Sequence, residues 1–369
     1  MDAATELVST SNFHATLLPG ELSVIQIPPA HVRACSWALL NLLLYGECSL
    51  NCREDDAATV DHICRLKQTD LFSMVVDNDG ITLFVDPNGI AMFEAANLHD
   101  KIRMAPQHWR AIQIHLGPMV AEFPGVVSFL SKLLAEDNIS ILNMSTYDTD
   151  IIYVQACKLD QAVACLRRKL SRGVTGLKAD MESECELRLS VDPDILFDLK
   201  AVVDSAQYLA VYPERMVLVR LKKEALRESA FGLTQLVLRS SSAQTAATPP
   251  SHCSTSFWCY CETAEEISLI LDNECLADFS ETAVIVSHDR WRVIKLCGKT
   301  YDFEETGIVA AMSALNAVDT QVLNISSFGS NVTLVLEEAL DASVASLCES
   351  LNLTRVDYRV RERGGGSVC

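Results

Sequence analysis

The strongest constraint on what this chain can fold into is that it repeats itself at long range. WRAIQIHLGP, beginning at Trp109, returns as WRVIKLCGKT from Trp291, and ILNMSTYDTD at 141–150 returns as VLNISSFGSN at 322–331. Between these, FPGVVSFLSKLL is answered by ETGIVAAMSAL. Trp291 follows Trp109 by 182 positions and Leu323 follows Leu142 by 181, so the copies differ by one single-residue gap. A period this long points to a duplicated domain, because stacked arrays of short repeats recur far more often.

Each copy carries the same series of signals. Apolar residues alternate from Trp109 to Leu116, as in a half-buried strand. Pro124-Gly125 then opens a segment with Val127, Leu130, Leu133 and Leu134 on one helical face, and Gly307 precedes Ile308, Met312 and Leu315 in the same way. After the echoed strand come IIYV and VTLVL. Amphipathic helices follow, with Leu159, Val163, Leu166 and Leu170 in one copy and Leu340, Val344, Leu347 and Leu351 in the other. Strand, helix, strand, hairpin, strand, helix is the ferredoxin-like order, in which two helices cover one face of an antiparallel sheet.

The segments ahead of each copy echo one another more faintly. LSVIQIPP, HVRACSWALLNLLLY and FSMVVDNDGITLFVDPNGIAMF are answered by LRLSVDPD, ILFDLKAVVDSAQYL and FWCYCETAEEISLILDNECLADF. The expectation is an α+β chain of four tandem ferredoxin-like (βαββαβ) modules in two duplicated halves. Its boundaries are a flexible N-terminus at 1–19, modules at 20–107 and 108–170, a linker at 171–184, a third module at 185–284, a fourth at 285–354 and a flexible tail at 355–369. The third module carries a Ser/Ala/Thr/Pro insertion at 240–256, linker-like in composition.

Composition narrows the function. A formal net charge of -19 makes phosphate backbones and anionic membranes poor partners, since affinity for them rests on Lys and Arg. No apolar run reaches the length of a membrane span, and MDAATELVSTSNFH lacks a secretory pattern, so the chain reads as cytosolic. Most of the fourteen cysteines sit inside apolar patterns and read as buried thiols. Cys48 with Cys52 and Cys259 with Cys261 lack the second pair or histidines that a zinc site needs. No GxSxG, HExxH, Walker loop or GxGxxG is present, so neither catalysis, a cofactor nor a metal is expected. Trp109 and Trp291, each opening a strand, read as core.

FPGVV and ETGIV resemble the glycine turn of ACT domains, small ferredoxin-like modules that bind amino acids at their mutual interfaces. ISILNMSTYDTDIIYV, WRVIKLCG, FEETGIVA and ISSF are similar, more specifically, to signatures of the CASTOR family of cytosolic arginine sensors. That resemblance spans roughly residues 20 to 350 and implies four tandem ACT modules. It also implies a sensor that holds back TOR complex 1 signalling by binding the GATOR complex and lets go on binding arginine. The alternative is an ACT-type allosteric regulator of an amino-acid biosynthetic enzyme. Association into a homodimer is compatible with either.

The chemistry suits a free amino acid without reference to any family. A glycine turn opening a helix presents unpaired N–H groups to a carboxylate, and YDFEETG places Asp302, Glu304 and Glu305 together for a cationic group. Carried over from the resemblance, the ligand contacts are Ser140, Ile141, Asp302, Glu305, Gly307, Ile308, Ser327, Phe328 and Asn331. The partner-binding stretch is Tyr147, Asp148, Thr149 and Asp150, which composition alone reads as a hairpin turn. The chain departs from the family at Asp302, where the family has glycine, at Asn331, where it has aspartate, and at Asp148, where it has glutamine.

Overall fold

The computed structural model describes residues 14–45, 71–115, 125–168, 170, 174–176, 202–204, 206–242, 257–315, 318 and 320–360. In chain order the first elements are strand β1 (His14–Leu17), strand β2 (Leu22–Ile27), helix α1 (Val32–Leu44), strands β3 (Leu71–Asp77) and β4 (Gly80–Val85), helix α2 (Pro87–Ala95) and strand β5 (Arg103–His115). The first Trp-headed copy continues as helix α3 (Val126–Glu136), strands β6 (Ile141–Ser145) and β7 (Thr149–Gln155), helix α4 (Leu159–Arg167) and strand β8 (Val174–Thr175). Strands β9 (Tyr208–Val211) and β10 (Met216–Leu221), helix α5 (Ala230–Ser242) and strands β11 (Trp258–Thr263), β12 (Ile267–Asp272) and β13 (Val284–Val286) follow. The second copy is strand β14 (Trp291–Cys297), helix α6 (Ile308–Met312), strands β15 (Val322–Ser327) and β16 (Ser330–Leu336), helix α7 (Leu340–Leu351) and strand β17 (Val356–Tyr358).

The chain divides into two compact units. One holds both Trp-headed copies, drawing on 14–21, 107–213 and 291–359. Its strand order is β8-β1-β5-β7-β6-β15-β16-β14-β9-β17, which reads alike from either edge. Ile112, Ile114, Ile152 and Val154 alternate onto the face covered by α3 and α4, packing with Leu130, Leu134, Val163 and Leu166 in one core. In the second copy Ile294, Leu296 and Val335 pack with Leu340, Val344, Leu347 and Leu351 of α7, the face its periodicity marks as apolar.

Each half of that sheet contains a strand the repeat pattern does not reveal. β1 pairs antiparallel with β5 and parallel with β8, standing between the first and last strands of its copy. β9 stands likewise between β14 and β17. Three expectations change as a result. His14–Leu17 is not a loose terminus, Val174–Thr175 is more than linker, and Val356–Tyr358 is sheet where a free tail was expected. All three were hidden because strands of two to four residues are too short to show an alternation. Tyr208–Val211, expected in the third module, joins the sheet of the second copy.

The other unit draws on 22–106 and 214–290. There β2 pairs with β4, β4 with β3, β3 with β11, β11 with β12, and β12 with β10, which β13 flanks. Helices α1, α2 and α5 bury Leu39, Leu43, Phe93, Leu233 and Val237 in its core. The aspartate of VDP caps α2, its side chain accepting from Gly89 N at 2.8 Å, with Pro87 at the first helical position. Ser240–Ser242 close α5, and the remainder of the expected insertion, 243–256, lies outside the described residues, as does LRLSVDPD with the start of the helix expected after it. Cys35, Cys259, Cys261 and Cys275 of this unit are buried thiols, whereas Cys48 and Cys52 lie outside the described residues.

Candidate functional site

The two copies meet where β6 runs antiparallel to β15, Met144 opposite Ile325. The seam is tied by a reciprocal exchange. Asn143 N donates to Ser326 Oγ at 2.9 Å and Asn324 N donates to Ser145 Oγ at 3.0 Å, so each serine satisfies a backbone group of the other copy. Asn143 Nδ2 adds a bond to Asn324 O at 2.9 Å. Behind the seam Asn324 and Asn331 form a two-way amide pair, each Nδ2 donating to the other's Oδ1 at 2.8 and 2.9 Å, and Asn331 Nδ2 also reaches Ser326 Oγ at 3.1 Å.

The acidic loop of the second copy is held by side chains of the first. Ser140 Oγ donates to Glu305 O at 3.0 Å, Gln155 Nε2 to Phe303 O at 2.9 Å and Gln107 Nε2 to Glu304 Oε1 at 2.9 Å. Below the loop, Trp109 meets the Phe303 ring edge-on at 5.8 Å, and Phe303 meets Phe328 edge-on at 4.9 Å. Glu305 pairs with Lys299 and accepts from Asp302 N at 2.8 Å, so the loop partly neutralises its own charge. Asp302 and Glu304 are the exposed acids of the group and make no ion pair among the described residues, but Glu304 already accepts from Gln107. Tyr301 exchanges a hydrogen bond with Gln207 at 2.9 to 3.0 Å, and burial raises its phenol pKa.

Between seam and loop lies a cavity of about 320 Å³, counting its open mouth. Ser140 and Ile141 of the first copy line it, as do Asp302, Glu305, Ile308, Ser327 and Asn331 of the second. Gly307 precedes Ile308 as the residue that opens α6, at a φ of 85° that favours glycine, and Gly125 opens α3 at 96° in the mirrored place. Phe328 supports the lining through Phe303. The loop of the first copy that corresponds to YDFEETG falls within 116–124, outside the described residues.

The geometry alters three parts of the expected chemistry. α6 has only five residues, so the carboxylate site expected at Gly307 would have the N–H groups of its first turn to draw on and little helix dipole. Asn331 lines the cavity, yet both ends of its amide already have partners in Asn324 and Ser326. Thr149 and Asp150 are buried, so the stretch that was expected to meet a partner offers Tyr147 and Asp148 as its half-exposed portion. Thr146 and Thr149 close that hairpin on themselves, Thr146 N donating to Thr149 O at 2.8 Å. Gln107, Gln155 and Ser326 were missed because single polar residues in strands carry no signal until the partner strand is known. Among the described residues there is no group of acids, histidines and cysteines able to hold a metal, and no helix long and apolar enough to cross a membrane.

Residues 104–168 and 286–349 match the ACT-domain family model, so the two Trp-headed copies are ACT repeats. The chain is 25% identical over 291 residues to the cytosolic arginine sensor for mTORC1 subunit 1 of Rattus norvegicus, covering 74% of this chain and 83% of that protein. It is 26% identical over 280 residues to the Mus musculus protein of the same name, covering 73% and 82%. Against the Homo sapiens protein the figures are 25% over 299 residues, 77% and 87%. Among solved structures, an aspartate kinase from Synechocystis aligns over 96% of this chain and 58% of its own at 12% identity, with a TM-score of 0.31.

Proposed function

We propose that this chain is a cytosolic, non-catalytic amino-acid sensor of four tandem ACT modules, with arginine the first candidate ligand. The carrying observation is the cavity at the seam of two ACT repeats, walled by Ser140 and Ile141 from one and by the Asp302–Glu305 loop from the other. An amino acid lodged there contacts both repeats at once, and so favours the conformation in which they are joined. Its carboxylate is suited to the N–H groups after Gly307. Its cationic end is suited to Asp302, the acid that lines the cavity without being paired to Lys299. The names of the relatives support the ligand class and the regulatory setting. By the same reading, the free sensor holds the GATOR complex through the hairpin of Tyr147 and Asp148, and arginine releases it.

A panel of the twenty amino acids followed by thermal shift tests the ligand. Arginine at 100 times its dissociation constant is expected to add about 2.7 kcal/mol of stability. A shift with neutral or acidic amino acids and none with arginine or lysine would overturn this assignment. For the partner, Tyr147→Ala is expected to lose capture of GATOR components from lysate while its melting shift with arginine stays within that of the parent. Recovery of an amino-acid biosynthetic enzyme in their place would favour the allosteric-regulator alternative.

A further inference from the structure

The pseudo-symmetric seam contains one mismatch. Asn324 and Asn331 in the second copy correspond to Asn143 and Asp150 in the first. Two amides face to face satisfy each other completely, N–H to O in both directions, as the 2.8 and 2.9 Å bonds show. An amide facing a carboxylate does not. The carboxylate accepts only, so the amide oxygen is left facing another oxygen with no proton between them.

Asn143 is oriented unambiguously, because its Nδ2 donates to Asn324 O at 2.9 Å and an exchanged amide would set oxygen against oxygen. Its Oδ1 is then buried with no hydrogen-bond partner among the described residues. Asp150 is 7% exposed, accepts from Ser145 Oγ at 2.5 Å, and touches the Asn143 amide. A donor is missing at Asn143 Oδ1, and a proton on the carboxyl beside it supplies one. We propose that Asp150 is held as the neutral acid, donating to Asn143 Oδ1, and that loss of its proton to solvent loosens the β6–β15 seam and with it one wall of the cavity.

The surroundings favour the neutral form. Among the described residues no cation faces Asp150. Its register partner on β5 is Ile114, and the adjacent His115 is bonded to Thr16 Oγ1 and stacked on His14. β6 brings Ser145, and across the seam stand Asn324, Ser326 and Asn331. α6 has no titratable residue, and Lys132 and Glu136 of α3, Asp160 and Arg167 of α4 and Asp148 in the turn all reach solvent. Burial raises the carboxyl from 3.8 to about 6, opposed in part by the Ser145 hydroxyl that donates to it and by the neighbouring Asn143 amide. Because the folded value lies above the unfolded one, this group's stabilisation is complete below 3.8 and is lost as pH rises through about 6. Ser326 and Asn331, one bond from this network, line the cavity, so seam and ligand site share a wall.

Carboxyl carbon NMR of the parent chain labelled at aspartate is expected to show one resonance with its midpoint near 6, well above the 3.8 of an ordinary aspartate. Asp150→Asn recreates the Asn324–Asn331 arrangement and should remove that resonance. Its melting temperature should exceed the parent's by a margin that grows from near zero at about pH 3.5 to several degrees at about pH 7.5. If every aspartate titrates at or below the ordinary value, or the variant's margin is independent of pH, the inference is wrong. A variant that fails to fold leaves the NMR titration of the parent to decide. Arginine titrations at both pH values separate this from the ligand reading. Absence of binding at either pH counts against the proposed function alone, while pH-dependent binding in the parent that flattens in Asp150→Asn supports the shared wall.

Discussion

Trp109→Ala is expected to cost the fold about 3–5 kcal/mol and to weaken the ligand site at the same time. The indole is fully buried on β5 and meets Phe303 edge-on at 5.8 Å, directly under the loop that carries Asp302 and Glu305. Truncation leaves a void that the sheet cannot close, since Trp109 is fixed opposite Gln155 in the β5–β7 ladder. Phe303 then loses its support, and the Gln155 to Phe303 O bond loses the geometry that holds the loop. Urea unfolding reads the first effect and arginine titration the second. Trp37→Ala, at a tryptophan that is 68% exposed, is the control and should change stability by no more than about 0.5 kcal/mol. Equal urea midpoints for the two variants would show that Trp109 does not support the fold, and equal arginine affinities that it does not support the site.

Gly329→Ala is expected to lower arginine affinity at least about tenfold, or about 1.4 kcal/mol, with a smaller loss of stability. Gly329 sits in the β15–β16 turn at a φ of 73°, and its carbonyl accepts from Tyr301 N at 2.8 Å. A Cβ there would stand 2.4 Å from Thr300 Cγ2 and 3.0 Å from Tyr301 O. The threonine methyl can rotate away; the backbone oxygen cannot move without shifting the cavity wall. Gly20 offers the comparison, because its φ of 80° is similar and nothing lies within 4 Å of its Cβ position. Gly20→Ala should therefore show the backbone strain alone, on the order of 1 kcal/mol, and leave arginine binding unchanged. If both variants bind like the parent, the turn does not shape the ligand site.

Much of the architecture was legible because the signals are periodic and doubled. Long amphipathic helices such as α3, α4 and α7 buried the faces their spacing marked, and the two Trp-headed copies repeated one another closely enough to align. Gly125 and Gly307 took the same left-handed conformation in mirrored places, as equivalent turns in a duplicated domain should. The cavity is less a matter of periodicity. Ser140 and Asp302 are 162 positions apart; the acids of YDFEETG drew notice by composition, but Ser140 did so only through the family resemblance.

Other features depended on partners that the sequence cannot reveal. β1, β8, β9 and β17 are too short to alternate, and they are strands because longer neighbours supply the hydrogen bonds they need. Asn331 read as an amide lacking the family's charge; that its amide is already paired with Asn324 follows only from the register of β15 with β16. Asp150 read as part of a surface turn, and it is buried because the hairpin's second strand turns that position toward the seam. The sequence by itself determined the longer strands and helices and that the module is duplicated, since hydrophobic period and repetition are properties of a chain. The tertiary structure alone decided which polar groups are satisfied, which carboxyl keeps a proton and where two repeats leave a cavity, because each depends on side chains brought together from distant parts of the chain.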